Sequence, residues 1–331
     1  MSFPMNVNRP DGQRVARRDF VKLGGAIAAG VATTNLFDAR FAHAAGAPTA
    51  SAETYVGELY ASLSDKQKTA VWRPFDHADR LKINPNWHVS KTTIGDDLFS
   101  KKQKTLVDQI VRNITSKDGY DRLLEQMEYD DGGLESYSFA LFGEPGSDQF
   151  QFELTGRHVT MRADGNRLDK IGFGGPVVYG HGEEYLPDSP FFQQTLQANK
   201  VFQALDADQA KLALQKKAPS ETAVQLKGES GHFPGIGVDQ LSSDQKELVE
   251  STLKMLLAPY RENDSKEVME ILNSSGGLDQ LHMAFYQQED IDNDRVWDIW
   301  RVEGPSMVWH FRGAPHVHAY LNIGIKSKAV A

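Results

Sequence analysis

The spacing of apolar residues changes along the chain and separates helical from extended segments. Between Gln103 and Met127 apolar side chains recur three and four residues apart, which predicts amphipathic helices with a break near residues 116–119. The same spacing returns between Glu247 and Leu257, and Pro259 marks the end of that helix.

Two other stretches alternate with a period of two, which is typical of strands. Between Tyr137 and Tyr179 glycine-rich turns separate the alternating segments and predict an antiparallel meander. A second group of strands is expected between Leu281 and Ile323. Because helical and extended segments follow one another in blocks, the sequence predicts an α+β fold, with helices packed on antiparallel sheet near residues 137–180 and 281–323.

One helix-start pattern occurs three times, each time as an N-cap residue with glutamine three positions later. The pairs are Ser64 with Gln67, Asp206 with Gln209, and Ser242 with Gln245. Each pair predicts a capping box, in which the two side chains satisfy each other's backbone amides. We interpret the recurrence as ordinary helix punctuation, and a true internal duplication is the alternative.

The first 44 residues resemble an export signal. Arg17 and Arg18 precede a weakly apolar run, Leu23 to Thr34, and Ala42-His43-Ala44 is a small-x-small cleavage site. The run is too short to span a bilayer permanently. We therefore expect the twin-arginine translocation machinery to deliver the protein to the periplasm or beyond, and a terminal amphipathic helix is the alternative.

The mature chain, residues 45–331, is expected to form one α+β domain, or two sub-domains that divide near residues 185–240. It contains no cysteine, which excludes disulfides and thiolate metal ligands. Loss of the leader removes six basic and three acidic residues, so the formal charge changes from −9 to −12. A chain this acidic is not expected to bind nucleic acid.

Three of the ten histidines lie within nine residues near the C-terminus. His316 and His318 are two residues apart, so in a strand they share one face, a spacing that a divalent metal can use. Structural hydrogen bonding is the alternative role. A five-residue loop would place His310 opposite His318, whereas a four-residue loop would place it opposite Val317 on the other face.

Four further residues are candidates for the same site. His158 follows a strand at a turn, and His181 lies between two glycines, which allow close approach of a ligand or simply form a turn. A single histidine among apolar residues, such as His282, is more often structural. Arg312 could clamp a carboxylate or phosphate, with a surface ion pair as the alternative.

Seven segments together resemble the bacterial family catalogued as domain of unknown function 3500. They are Trp87, Gly119-Tyr120, Tyr137 to Gly143, Gly156-Arg157-His158, Leu278 to His282, Glu303-Gly304-Pro305 and His316-Val317-His318. The resemblance implies that the family shares His158, His282, His316 and His318. It departs at Arg157, where many relatives have a second histidine. Segments 179–182 and 309–315 are similar to a subset of the family that adds His181 and His310.

The favoured hypothesis is an exported, histidine-ligated metalloprotein that uses His158, His282, His316 and His318, with His181 or His310 nearby. Imidazole ligands without thiolate suit copper, zinc or iron, and we favour copper in an oxidoreductase. One alternative is a zinc-dependent hydrolase, with a general base among Glu153, Glu183, Glu184 and Asp279. The other is a non-catalytic protein that binds a metal or a small ligand.

Overall fold

The computed structural model describes residues 51–147, 149–164 and 170–325. Within these residues, eight helices accompany an eleven-stranded sheet that is mixed but mostly antiparallel. The predicted α+β fold is therefore confirmed. The predicted export signal and its cleavage site lie outside the described residues. No helix in the described part of the chain is long and apolar enough to cross a membrane.

The helices and strands are numbered here in chain order. The helices are α1 Ala52–Ser62, α2 Asp65–Val71, α3 Lys101–Ile114, α4 Lys117–Asp131, α5 Phe192–Gln203, α6 Ala207–Ala213, α7 Ser243–Leu257 and α8 Glu262–Ser274. The strands are β1 Trp72–Arg73, β2 Ser138–Gly143, β3 Phe150–Gly156, β4 Val159–Ala163, β5 Val177–His181, β6 Leu214–Gln215, β7 Ile236–Gly237, β8 His282–Tyr286, β9 Ile299–Gly304, β10 Met307–Arg312 and β11 Val317–Ile323.

The predicted helix starts and strand groups are confirmed. All three capping boxes form, and a fourth begins α3 with Ser100 and Gln103. Strands β2 to β5 form the expected antiparallel meander, and β8 to β11 form the second. The two meanders join through β5 and β11, where Val177 faces Leu321, into one sheet of order β1-β2-β3-β4-β5-β11-β10-β9-β8-β6. Strand β7 pairs with β8.

The two halves of the chain repeat the same order of elements. Two helices lead into a short strand, two more helices follow, and a four-stranded meander ends each half. In each half the short strand joins the first meander strand in parallel, with Trp72 opposite Leu141 and Leu214 opposite Phe285. The sheet order is consequently the same when read from either edge.

The repeat extends to individual side chains. The side-chain Nε2 of Gln67 donates to Oε1 of Gln103 at 2.9 Å. In the second half, Nε2 of Gln209 donates to Oε1 of Gln245 at 3.1 Å. A glycine pair with positive φ follows both α4 and α8, at residues 132–133 and 276–277. These matches favour an internal duplication over our preferred interpretation of the capping boxes as ordinary punctuation.

The sheet separates an apolar, helix-covered face from a more polar one. On the helical face, Trp309 Nε1 donates to the Tyr179 hydroxyl, which in turn donates to Gln194 of α5. On the other face, residues 216–235 cover the second meander, where Asn322 donates to the Val224 carbonyl at 3.0 Å. His318 and Tyr320 lie on this polar face, because alternate residues of a strand point the same way.

Candidate metal centre

Three histidines from distant parts of the chain converge at one end of the central strands. His158 lies at the tip of the β3–β4 hairpin, His316 directly precedes β11, and His318 lies within it. One ring nitrogen from each can be chosen so that all lie within 4.8 Å of one another. The Nε2 atoms of His316 and His318 are 3.0 Å apart. This is the spacing expected of side chains that could share one ion.

The hairpin tip that presents His158 is held from several sides. His158 has a φ of 58°, and its amide donates to the Pro85 carbonyl. The preceding carbonyl, of Arg157, accepts from the Tyr137 hydroxyl at 2.9 Å and from the Gln126 amide at 3.2 Å. A turn fixed in this way holds the imidazole in one position, as a metal ligand requires.

Two glycines, one within β5 and one directly after it, leave room for the His158 ring. A Cβ on Gly180 would lie 2.3 Å from the Val317 oxygen and 3.3 Å from the His158 Cβ. A Cβ on Gly182 would lie 2.7 Å from an Asp130 oxygen and 3.7 Å from His158 Cε1. A side chain at residue 180 would therefore clash with backbone, and one at residue 182 would press on the Asp130 carboxylate.

Asp130, near the end of α4, orients the His158 imidazole. Its Oδ2 accepts from His158 Nδ1 at 2.8 Å, while Oδ1 accepts from the Gly182 amide at 2.8 Å. Burial raises the pKa of Asp130, but the hydrogen bonds from His158 and Gln126 lower it overall. The carboxylate is therefore ionised and directs Nε2 of His158 toward the other two rings.

Glu221 has a similar relation to His318. A Glu221 oxygen lies 3.4 Å from His318 Nδ1 and 2.8 Å from Arg312 Nε. Burial raises the pKa of Glu221, but the His318 contact and the Arg312 charge outweigh it and lower the pKa to about 2. Nε2 of His318 is consequently the nitrogen that faces His316.

The environment lowers the pKa of the two histidines at the start of β11. Burial lowers the pKa of His316 to about 4, helped by His318 and His158. Burial also lowers the pKa of His318. Neutral imidazole is the form that ligates metals, so neither of these two rings has to lose a proton before an ion binds. A set of three imidazole ligands leaves a coordination position open for water or substrate.

His310 shares a sheet face with His318 but lies elsewhere on it. Five residues, 313–317, separate the paired Arg312 and His318, and His310 therefore faces Tyr320, which matches neither register that we considered. Arg301 Nε donates to His310 Nδ1 at 3.3 Å, and burial lowers the pKa of His310 to about 3. These contacts describe a neutral histidine within a buried polar network.

His181 and His282 also lie outside the group of three. His181 faces Val317 across the β5–β11 pair and therefore points to the helical side of the sheet, where its ring is 4.5 Å from that of Tyr129. His282 begins β8, and its ring is 5.6 Å from that of Phe233. Arg312 is near the centre, in its ion pair with Glu221.

The carboxylates at the centre, Asp130 and Glu221, were not predicted. Three candidate bases have other partners: Glu153 pairs with Arg162 at 3.3 Å, Asp279 with Lys246 at 2.6 Å, and Glu183 accepts from Tyr129 at 3.1 Å. One signal could have revealed Asp130. The last turn of α4 is acidic and has no basic residue, which opposes the helix dipole and indicates another role for that charge. We find no such signal for Glu221.

Comparison with known families accounts for most of the chain. The model of a family described as Protein of unknown function (DUF3500) matches residues 45–322. The chain belongs to the DUF3500 family. No curated protein and no solved structure matches it significantly. Membership confirms the resemblance to this family and assigns no activity.

Proposed function

We propose that this DUF3500 protein is a metalloprotein whose ion is held by His158, His316 and His318. The observation that carries the proposal is the convergence of three imidazoles within 4.8 Å, two of which have a carboxylate behind the other ring nitrogen. Carboxylate–histidine pairs of this kind orient ligands and raise their basicity in known metal sites.

The donor set fits a first-row divalent ion. With only nitrogen ligands and no cysteine in the chain, copper, zinc and iron are all suitable, and copper remains our favoured ion. A bound copper or iron ion would supply redox chemistry, and we propose an oxidoreductase on that basis. The protein's own contribution is to fix the three rings, to lower the pKa of His316 and His318 and to leave a ligand position open.

A zinc-dependent hydrolase is the second candidate. Three histidines with an open position also suit catalytic zinc. Glu221 is the ionised carboxylate nearest His318, although its contacts with Arg312 and Tyr320 leave it better suited to orient the ring than to accept a proton from water. We therefore rank hydrolysis below oxidation.

We further propose that the protein is exported through the twin-arginine pathway. The support is the order of Arg17-Arg18, the apolar run and Ala42-His43-Ala44. Replacement of both arginines by lysine should retain the protein in the cytoplasm, as measured by cell fractionation. Unchanged export of that variant would contradict the assignment.

The experiment that tests the metal centre is elemental analysis of the exported protein, purified without an affinity tag or chelator. We expect about one copper or iron ion per chain. Stoichiometric zinc would favour the hydrolase instead. A protein that contains no metal and takes up none of these ions would overturn the proposal.

A further inference from the structure

The charged side chains around the three histidines balance before any ion binds. Two carboxylates, Asp130 and Glu221, each lie beside an arginine, Arg157 and Arg312 respectively. A divalent ion added to two acid–arginine pairs would leave the centre with a net positive charge. This inference rests on the proposed metal. A positively charged open site favours an anionic ligand.

The two arginines differ in how far they are engaged. The Arg312 side chain is 17% exposed, lies 2.8 Å from Glu221 and donates to the Ala314 carbonyl at 3.1 Å. The Arg157 side chain is 47% exposed, and its ion pair with Asp130 is long, at 3.9 Å. Arg157 is therefore the guanidinium that an incoming anion can reach without breaking a short ion pair.

Arg157 is also placed beside a ligand ring. A Cβ built on Gly182 would lie 3.2 Å from Arg157 Nη2 and 3.7 Å from His158 Cε1, so both groups border the space above this glycine. The backbone of Arg157 is fixed by the bonds from Tyr137 and Gln126 to its carbonyl. The hairpin tip thus presents a ligand and a cation side by side.

We propose that Arg157 recognises the carboxylate of a small organic ligand that binds at the metal. The guanidinium can donate two parallel hydrogen bonds to a carboxylate, while the open metal position accepts another group of the same molecule. Arg157 is thus the residue that sets specificity for an acid over its neutral analogue. Arg312, our sequence-based candidate for substrate binding, instead holds Glu221 against His318.

The test uses the mature chain loaded with Cu²⁺ and titrated with lactate, with lactamide as the neutral analogue and with inorganic phosphate. Binding is followed through the ligand-field absorption of the ion, and metal content is measured first. We expect lactate to bind more tightly than lactamide or phosphate. Arg157→Gln should keep its metal but bind lactate about 10- to 100-fold more weakly, because a charged hydrogen bond is lost.

A control variant sharpens the result. Arg122→Gln removes an arginine from the same helix as Asp130, where it pairs with Asp118 at 2.8 Å, and should bind lactate as the unmodified protein does. Equal lactate affinity in Arg157→Gln, or preference for phosphate or lactamide, would overturn the inference. Failure to load metal would instead overturn the proposed function on which it rests.

Discussion

The two halves of the molecule share an architecture but differ at their equivalent hairpin tips. In the first half the β3–β4 tip is Arg157-His158, and in the second half the β9–β10 tip is Pro305-Ser306. Gly156 and Gly304 each precede a tip, and each packs against the residue just before the first strand of its meander. The duplicated scaffold thus offers two matching positions, and of these two tips only the first carries a histidine.

The second tip is occupied by backbone contacts instead. The Pro305 carbonyl accepts from the Gly228 amide at 3.1 Å, and the Ser306 carbonyl accepts from the Gly324 amide at 2.9 Å. The first tip meets the start of β11, which brings His316 and His318 from the other half. The comparison teaches that the candidate centre belongs to neither half alone, because each half supplies part of the ligand set.

The largest effect is expected from removal of the ligands that the second half supplies. The double variant His316→Ala, His318→Ala should lose nearly all bound metal and remain folded, since a single imidazole binds an ion weakly. Metal content by elemental analysis and folding by circular dichroism check this outcome. The matched control is Ser306→Ala at the other tip, which should retain its metal. Full metal retention in the double variant would contradict the claim that the second half supplies part of the ligand set.

A second prediction contrasts metal binding with stability. Glu303, next to the second tip, is buried and pairs with Lys227 at 2.7 Å and Arg301 at 3.4 Å. Glu303→Gln leaves a buried guanidinium without its counter-charge, so the free energy of unfolding should fall by about 3–5 kcal/mol. Denaturant titration measures this loss, and metal content should not change. Glu229→Gln, an exposed change in the covering segment, is the control.

The third prediction concerns the carboxylate behind the first tip. Asp130→Asn keeps the size of the side chain but removes the charge that accepts from His158 Nδ1. We expect metal affinity to fall about 10- to 100-fold, as for other residues that orient metal ligands. Competition with a coloured chelator measures the affinity. The neighbouring change Asp131→Asn should leave it unaltered, and an equal loss in both variants would exclude a specific role for Asp130.

The smallest effect is a dependence of stability on pH in the metal-free protein. The pKa of His316 is about 4 when folded and returns toward 6.5 on unfolding. Between these values the unfolded chain binds the proton more readily, so the contribution of the neutral ring is present above pH 6.5 and lost as pH falls toward 4. The melting temperature of His316→Asn should accordingly fall less over this range. An identical fall in melting temperature in both proteins would contradict the lowered pKa of His316.

Local patterns were sufficient to predict five of the eight described helices and the two meanders, but not α1, α5, α8 or the short strands β1, β6 and β7. Capping boxes such as Ser64 with Gln67 are decided within four residues, and strand alternation depends on which face is buried. The proximity of His316 and His318 was likewise predictable from their spacing of two residues, although His316 lies just before β11 rather than within it. The duplication was visible only as repeated helix starts, and the paired glutamine amides that support it require the fold.

The rest of the candidate site depends on contacts between distant segments. Asp130 meets His158 through a helix end and a hairpin tip, and Glu221 reaches His318 from a long covering segment. No short-range sequence pattern predicts contacts between segments so far apart in the chain. The loop after β10 sets the register between β10 and β11, and this register separates His310 from His318. The sequence alone did not determine it.

The most direct test of the account is X-ray absorption at the metal edge, on the loaded protein and on His158→Ala. This measurement counts the imidazole rings bound to the ion. The account predicts three rings, with nitrogen at about 2.0–2.1 Å, and two rings in the variant, because the tip of the first half would no longer contribute. A count of three that does not change in His158→Ala, or an ion bound only by oxygen, would contradict it.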